Sequence, residues 1–262
     1  MYNQERNKIM KNKRIIITGG SGGIGVSLAK KLIENGAEVL LVDLDEGQLK
    51  ETADSLNSDN VHIFEADVSD EKAVKAYVDY AVEKMGGIDI FYNNAGIEGK
   101  VAPLEEYPMD VFHKLIDVNL KGVYYGLRYA FPIMKKNDSG GSIVITSSVA
   151  GMVGTPNVLP YVTSKHAVIG MMKSAAMEGA EHKVRVNTVN PSPVDNRMMR
   201  SLEEGFAPGQ AEGAKQGFEQ AIPMKRYANN EEVANVMYFL GSDESSFVTG
   251  TINAVDGGMT AG

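Results

Sequence analysis

Seven short apolar runs, set apart by longer stretches of helical periodicity, constrain this chain more than any other feature. The runs RIIIT (14–18), EVLLVD (38–43), VHIFEAD (61–67), IDIFYNN (88–94), GSIVITSS (141–148), VRVNTVNP (184–191) and TINAVDGG (251–258) read as strands. Between them, 23–35, 46–56, 70–84, 110–136, 161–182 and 230–240 read as helices. Asp45, Ser69-Asp70 and Asn230 are the expected N-caps, Asn35-Gly36 and Gly86-Gly87 the expected stops, and Pro132 is expected to kink or end the 110–136 helix. Strands that are apolar along their whole length, rather than alternating, belong to a sheet covered on both faces. Alternating strands and helices make that sheet parallel. The expected fold is α/β: a single doubly wound Rossmann-type domain, with a parallel seven-stranded sheet flanked by helices.

A chain of 262 residues, 43% hydrophobic and 23% charged, has enough apolar material for one such domain. No repeat, low-complexity tract or linker divides it. Residues 1–12 are polar and read as an arm without the apolar core of a secretory signal, leaving 13–262 as the domain. Residues 195–225, rich in Gly, Ala, Met and charge, read as a helical lid over a substrate site, with Met198, Met199, Leu202 and Phe206 as its apolar inner face. The net charge of −8 argues against a nucleic-acid or anionic-membrane partner. The chain has no cysteine, which removes disulfides, thiolate nucleophiles and thiolate metal sites and fits a cytoplasmic setting. Its four histidines lack paired spacing, so no metal is expected.

The first strand runs into TGGSGGIG (18–25). Glycines at 19, 23 and 25 permit a tight turn and close approach to a pyrophosphate, and the following helix offers unpaired N–H groups and the positive end of its dipole. Asp43 ends the second strand, where a carboxylate can accept hydrogen bonds from ribose hydroxyls and would repel a 2′-phosphate. Gly20, Ser21, Gly22 and Leu44 supply no cation for that phosphate, so NAD(H) is favoured. Asp67-Val68, at the end of the third strand, could border the adenine or merely begin a helix cap.

Tyr161 and Lys165 stand one turn apart on one helix, but this spacing alone is weak evidence, because Tyr80 and Lys84 share it. What separates the pairs is Ser148, thirteen residues before Tyr161 at the end of a strand; Tyr80 has Asp67 at that offset. Ser147 is the adjacent alternative.

Together these segments resemble the classical short-chain dehydrogenase/reductases over about residues 12–262. The resemblance is carried by Thr18-Gly19-x-x-x-Gly23-Ile24-Gly25, Asn93-Asn94-Ala95-Gly96, Asn119 in VNLKG, Ser148 in ITSSVAG, Tyr161-x-x-x-Lys165, Asn190-Pro191, and SSFVTG leading to DGG. It implies an Asn119–Ser148–Tyr161–Lys165 catalytic tetrad. It also implies NAD contacts from Gly19, Ser21, Gly22, Gly23, Ile24, Gly25, Asp43, Asp67, Val68, Asn94, Ala95, Gly96, Tyr161, Lys165, Pro191, Val194 and Asn196.

The implied reaction moves a hydride between NAD(H) and a secondary alcohol or ketone, with Tyr161 as proton acceptor, Ser148 holding the substrate oxygen and Asn119 anchoring a water beside Lys165. Lowering a phenol by about three pKa units corresponds to roughly 4 kcal/mol, toward which the lysine cation contributes. The resemblance further implies a homotetramer built on the 110–136 and 161–182 helices, through Val118, Val123, Leu127, Phe131, Val168, Met171 and Met172.

Three positions depart from the family pattern. Pro191-Ser192-Pro193 replaces Pro-Gly, Asn196 stands where Thr usually holds the carboxamide, and Met177-Glu178-Gly179 lacks the arginine of carrier-protein reductases. An NADH-dependent 3-oxoacyl-thioester reductase is the alternative enzyme, and a non-catalytic dinucleotide-binding regulator the alternative of another class.

Overall fold

The structure is a computed structural model, and it describes residues 9–262. Seven parallel strands form one sheet in the order β3-β2-β1-β4-β5-β6-β7. They are β1 (Arg14–Thr18), β2 (Glu38–Asp43), β3 (Val61–Glu65), β4 (Ile90–Asn93), β5 (Gly141–Thr146), β6 (Val184–Pro191) and β7 (Ile252–Val255). The order reverses between β1 and β4, which opens a crevice at the carboxyl ends of those two strands.

Successive residues of β1 show why the strands are apolar throughout. Ile15 and Ile17 face a core built with α1 (Gly23–Glu34), α2 (Glu46–Leu56) and α9 (Asn230–Gly241). Ile16 faces the opposite core, built with α3 (Glu71–Met85), α5 (Val123–Met134) and α6 (Leu159–Gly179). Each buried Ile, Val or Leu is worth about 1.5–3 kcal/mol, and both faces collect them. The remaining helices are α4 (Met109–Ile116), α7 (Arg197–Phe206) and α8 (Ala211–Ala221).

Several local expectations are corrected. Residues 1–8 of the expected arm lie outside the described residues, but Met10 is fully buried in the α1/α9 core, so the domain begins before residue 13. The 110–136 stretch is interrupted at a π-helical segment, Asp117–Gly122, and not at Pro132, which lies inside α5 near its end. The cap of α9 is Asn229, in a reciprocal capping box with Glu232, while Asn230 is already helical. Residues 195–225 form α7 and α8, and Met199 packs with Ile222 and Tyr227, with Leu202 and Phe218 against them. Phe206 meets Phe218 edge-on at 5.5 Å. The apolar face read as a lid lining therefore serves helix packing at Met199, Leu202 and Phe206.

Candidate active site

The carboxyl ends of β1, β4 and β5 are latched together by side chains. The Thr18 hydroxyl oxygen accepts from the backbone N–H groups of Asn94 (3.0 Å) and Ala95 (3.1 Å). Asn94 donates its amide to the Thr18 carbonyl at 3.0 Å and accepts from the Thr146 hydroxyl at 2.9 Å. Asn94 is thus an architectural residue of the crevice as well as a candidate contact. Gly96 is small of necessity, because a Cβ there would lie 3.3 Å from Asn119 Oδ1 and 3.4 Å from Lys165 Nζ.

The glycine loop fits a dinucleotide. Gly19 adopts φ +67°, and a Cβ on it would press on the Ala95 backbone at 3.1 Å. A Cβ on Gly25 would collide with the Gly19 carbonyl. Gly22 caps α1 without a side-chain hydrogen bond, so the first N–H groups of the helix, at Gly23, Ile24 and Gly25, remain available to an anion. Asp43 ends β2, and its Oδ2 accepts from the Ser21 backbone N–H at 3.0 Å and the Ser21 hydroxyl at 2.5 Å, while Oδ1 accepts from Leu44 N–H. No cation pairs with Asp43 among the described residues.

Tyr161 and Lys165 occupy the first turns of α6. Lys165 is buried, its Nζ donates to the Thr146 carbonyl at 2.9 Å and lies 5.5 Å from the centre of the Tyr161 ring. Burial pulls the ammonium down to about 8. Burial also pushes the Tyr161 phenol up to about 12, against a hydrogen bond from Ser148 and together with the charge of Glu98. The Ser147/Ser148 ambiguity resolves geometrically: Ser147 is buried and donates to the Lys165 carbonyl at 2.9 Å, whereas Ser148 faces Tyr161. Asn190 steadies Ser148 by donating to its carbonyl at 2.9 Å.

Asn119 sits in the π segment, fully buried. Its Oδ1 accepts from Ile97 N–H at 2.8 Å, and its amide donates to the Ile97 carbonyl at 2.9 Å and the Ser164 hydroxyl at 3.3 Å. That side chain clamps the loop leaving β4 onto α6, and a π-bulge at such a point is a common functional distortion. Its amide hydrogens are both engaged.

The outer positions divide. Pro191 ends β6, and buried Val194 bridges to Ala228 beside the crevice. Asn196 caps α7, accepting from Met198 and Met199 N–H. Asp67 accepts from the backbone and hydroxyl of Ser69 in a local turn, and Val68 is buried where a Cβ on Gly122 would touch it at 3.0 Å. The decoy Tyr80 is half-buried against Phe64 at 5.2 Å with Lys84 over its ring, away from any strand end.

Two residues escaped the sequence reading. Asn230 fills the space a Cβ on Gly23 would need and lies 3.5 Å from Asn196, joining the glycine loop to α7; its place beside the true cap hid it. Glu98 is a buried carboxylate on the loop leaving β4, and the signal was a lone charge among small and apolar residues in NNAGIEG.

A family model described as enoyl-(acyl carrier protein) reductase matches residues 19–260. Levodione reductase of Leifsonia aquatica is 37% identical over 251 residues, 94% of each chain. Cyclohexanol dehydrogenase of Acinetobacter sp. (strain SE19) is 36% identical over 95% of this chain and 96% of its own. The crystal structure of NAD+-bound xylitol dehydrogenase superposes with a TM-score of 0.89 at 31% identity, covering 95% of this chain and 99% of that one. With the glycine loop, Asn119, Ser148, Tyr161 and Lys165 in place on this sheet, the chain belongs to the classical short-chain dehydrogenase/reductase family of oxidoreductases.

Proposed function

We propose that the chain is an NAD(H)-preferring dehydrogenase of secondary, ring-sized alcohols, working in reverse as a carbonyl reductase. The observation that carries this reading is the Tyr161–Lys165 pair meeting Ser148 at the carboxyl ends of β4 and β5, next to a glycine cradle. NAD supplies the hydride acceptor when bound. Gly19, Ser21, Gly22, Gly23, Ile24 and Gly25 would hold its pyrophosphate, and Asp43 its adenosine ribose. Asp67, Val68, Asn94, Ala95, Gly96, Pro191, Val194 and Asn196 would border the remainder.

In the reaction Ser148 holds the alcohol oxygen beside Tyr161, and the Tyr161 phenolate takes the hydroxyl proton as the C–H hydride leaves. Lys165 favours the phenolate electrostatically. Asn119 fixes the loop that keeps Lys165 buried, and the proposed water relay to solvent runs beside it. The relatives named for levodione and cyclohexanol suggest cyclic substrates. An apolar hollow of about 440 Å³ between the loop after β4 (Pro103, Leu104) and the approach to α6 (Pro156, Leu159, Val162) suits a hydrocarbon ring. The 3-oxoacyl-thioester alternative is less favoured, because exposed Met177 stands where carrier-protein reductases present an arginine.

The preference for NAD(H) over NADP(H) rests on Asp43, since a carboxylate facing a 2′-phosphate is a like-charge contact. The test is hydride turnover on secondary alcohols and ketones with each cofactor. NADH should be strongly preferred, and Asp43→Ala should narrow that preference. Equal use of both by the native chain would overturn the assignment.

A cytoplasmic homotetramer completes the proposal. The residues first read as its interface, Val118, Val123, Leu127, Val168 and Met172, are buried in the monomer core, with Phe131 and Met171 packed against it, so they lend it no support. Support comes from the exposed edge of the sheet, where Phe247 is fully exposed and Ile252, Phe239 and Met177 are also bare. An apolar edge strand calls for a partner. Light scattering that gives a monomer at micromolar concentration would rule the tetramer out. Among the described residues no helix is long and apolar enough to cross a membrane.

A further inference from the structure

Glu98 is a carboxylate whose burial the fold does not explain. It is 8% exposed, on the loop leaving β4, directly after Ile97, whose backbone N–H and carbonyl are both bound by Asn119. None of the side-chain hydrogen bonds among the described residues ends on its oxygens. The cation facing it, Arg197 at the start of α7, holds Nη1 3.6 Å from Oε1, beyond hydrogen-bond reach, and is itself 80% exposed.

Taking an ionised carboxylate out of water with no donor on it is strongly unfavourable, so folding alone supplies no reason for a glutamate here. Its position supplies one. The loop that carries it packs onto α7, where a Cβ on Gly205 would meet Val101, and its charge is felt by the Tyr161 phenol. The carboxylate therefore borders the space in which the reacting alcohol must sit.

We propose that Glu98 is the substrate-recognition residue of the cleft, accepting a hydrogen bond from a second hydroxyl of the substrate. The preferred substrates are then neutral diols or hydroxyketones, and alcohols carrying an anion are disfavoured. One hydroxyl is oxidised between Ser148 and Tyr161 while the other donates to Glu98. A charged acceptor makes a stronger hydrogen bond than a neutral one, and an anionic substituent placed there meets a like charge. The proposal rests on the dehydrogenase reading given above.

The test compares kcat/KM, with NAD, for cyclohexanol, cyclohexane-1,2-diol, cyclohexane-1,4-diol and 4-hydroxycyclohexanecarboxylate. The proteins are the native chain, Glu98→Gln, Glu98→Leu and, as a matched exposed control, Glu106→Gln. The native chain should favour at least one diol over cyclohexanol by about tenfold. Glu98→Gln and Glu98→Leu should erase most of that preference through KM, and should relieve the bias against the carboxylate by about tenfold. Glu106→Gln should keep the native ratios.

Thermal midpoints of the two Glu98 variants should equal or exceed the native value, since no hydrogen bond is lost. Substrate ratios that stay the same in all four proteins would refute the assignment while leaving the dehydrogenase reading intact. Parallel loss on every alcohol with a lowered midpoint would make Glu98 a structural residue and also refute it. Absence of turnover on any alcohol by the native chain would overturn both readings.

Discussion

Replacing Lys165 with methionine should raise the pH at which alcohol oxidation switches on by about two units. Lys165 Nζ lies 5.5 Å from the centre of the Tyr161 ring. At that separation, in a medium of effective dielectric ~20, two unit charges interact by about 3 kcal/mol, or about two pKa units. The phenol begins at about 12, raised chiefly by burial, so the cation is a large part of what brings it toward neutrality. Burial also holds the ammonium at about 8, so its help is complete at neutral pH and fades as pH rises through that value.

Methionine keeps the length and apolar body of the side chain and gives up the bond to the Thr146 carbonyl. The assay is kcat/KM for cyclohexanol oxidation from about pH 6 to about 10, a range spanning the free lysine and tyrosine values. A limb that moves by less than half a unit in a folded variant would refute the electrostatic role and leave Lys165 as a mere contact to Thr146.

Tyr161→Phe should lower turnover by about 10²–10⁴-fold or more while NADH binding changes little, and Tyr80→Phe should match the native chain; kinetics and a cofactor titration decide it. If Tyr161→Phe keeps most of its activity, the proton-transfer assignment is wrong. Gly25→Ala should weaken NADH by more than about tenfold, because its Cβ meets the Gly19 backbone carbonyl and not a side chain that can rotate away. An unchanged Kd by fluorescence titration would sink it. Asn229→Ala removes the α9 cap and should cost about 1 kcal/mol, read by denaturant unfolding.

The parts of the fold set by continuous apolar runs were legible: β1, β2 and β6 fall where their sequences place them. What the sequence hid depended on packing across the fold. Pro132 advertises a break, yet it lies in the last turn of α5, where little helix remains to disturb, while the real irregularity sits at Asn119 because its side chain must reach Ile97. The glycine loop and the Tyr161–Lys165 spacing were readable because local geometry dictates residue type there. Glu98 and Asn230 were not, since their significance lies in neighbours about a hundred residues or more away, Arg197 in one case and Gly23 in the other. Met199 and Leu202 misled for a related reason: an apolar stripe looks the same whether it faces a substrate or another helix.

The wide turn at Asp117–Gly122 fixes the length of the chain as well as its shape. A π turn holds one residue more than an α turn. Deleting one would restore regular helix, but everything downstream would rotate by about 100° and draw back by about 1.5 Å. Gly126, whose missing Cβ makes room for Phe91 and Asn93, would swing off the sheet, and Leu127, Ala130 and Met134 would leave the core. Inserting a residue would turn α5 the other way. Exposed Lys121 can therefore change identity freely, while the count of residues between Asn119 and Gly126 is locked, and natural variation in this stretch should consist of replacements with no net gain or loss.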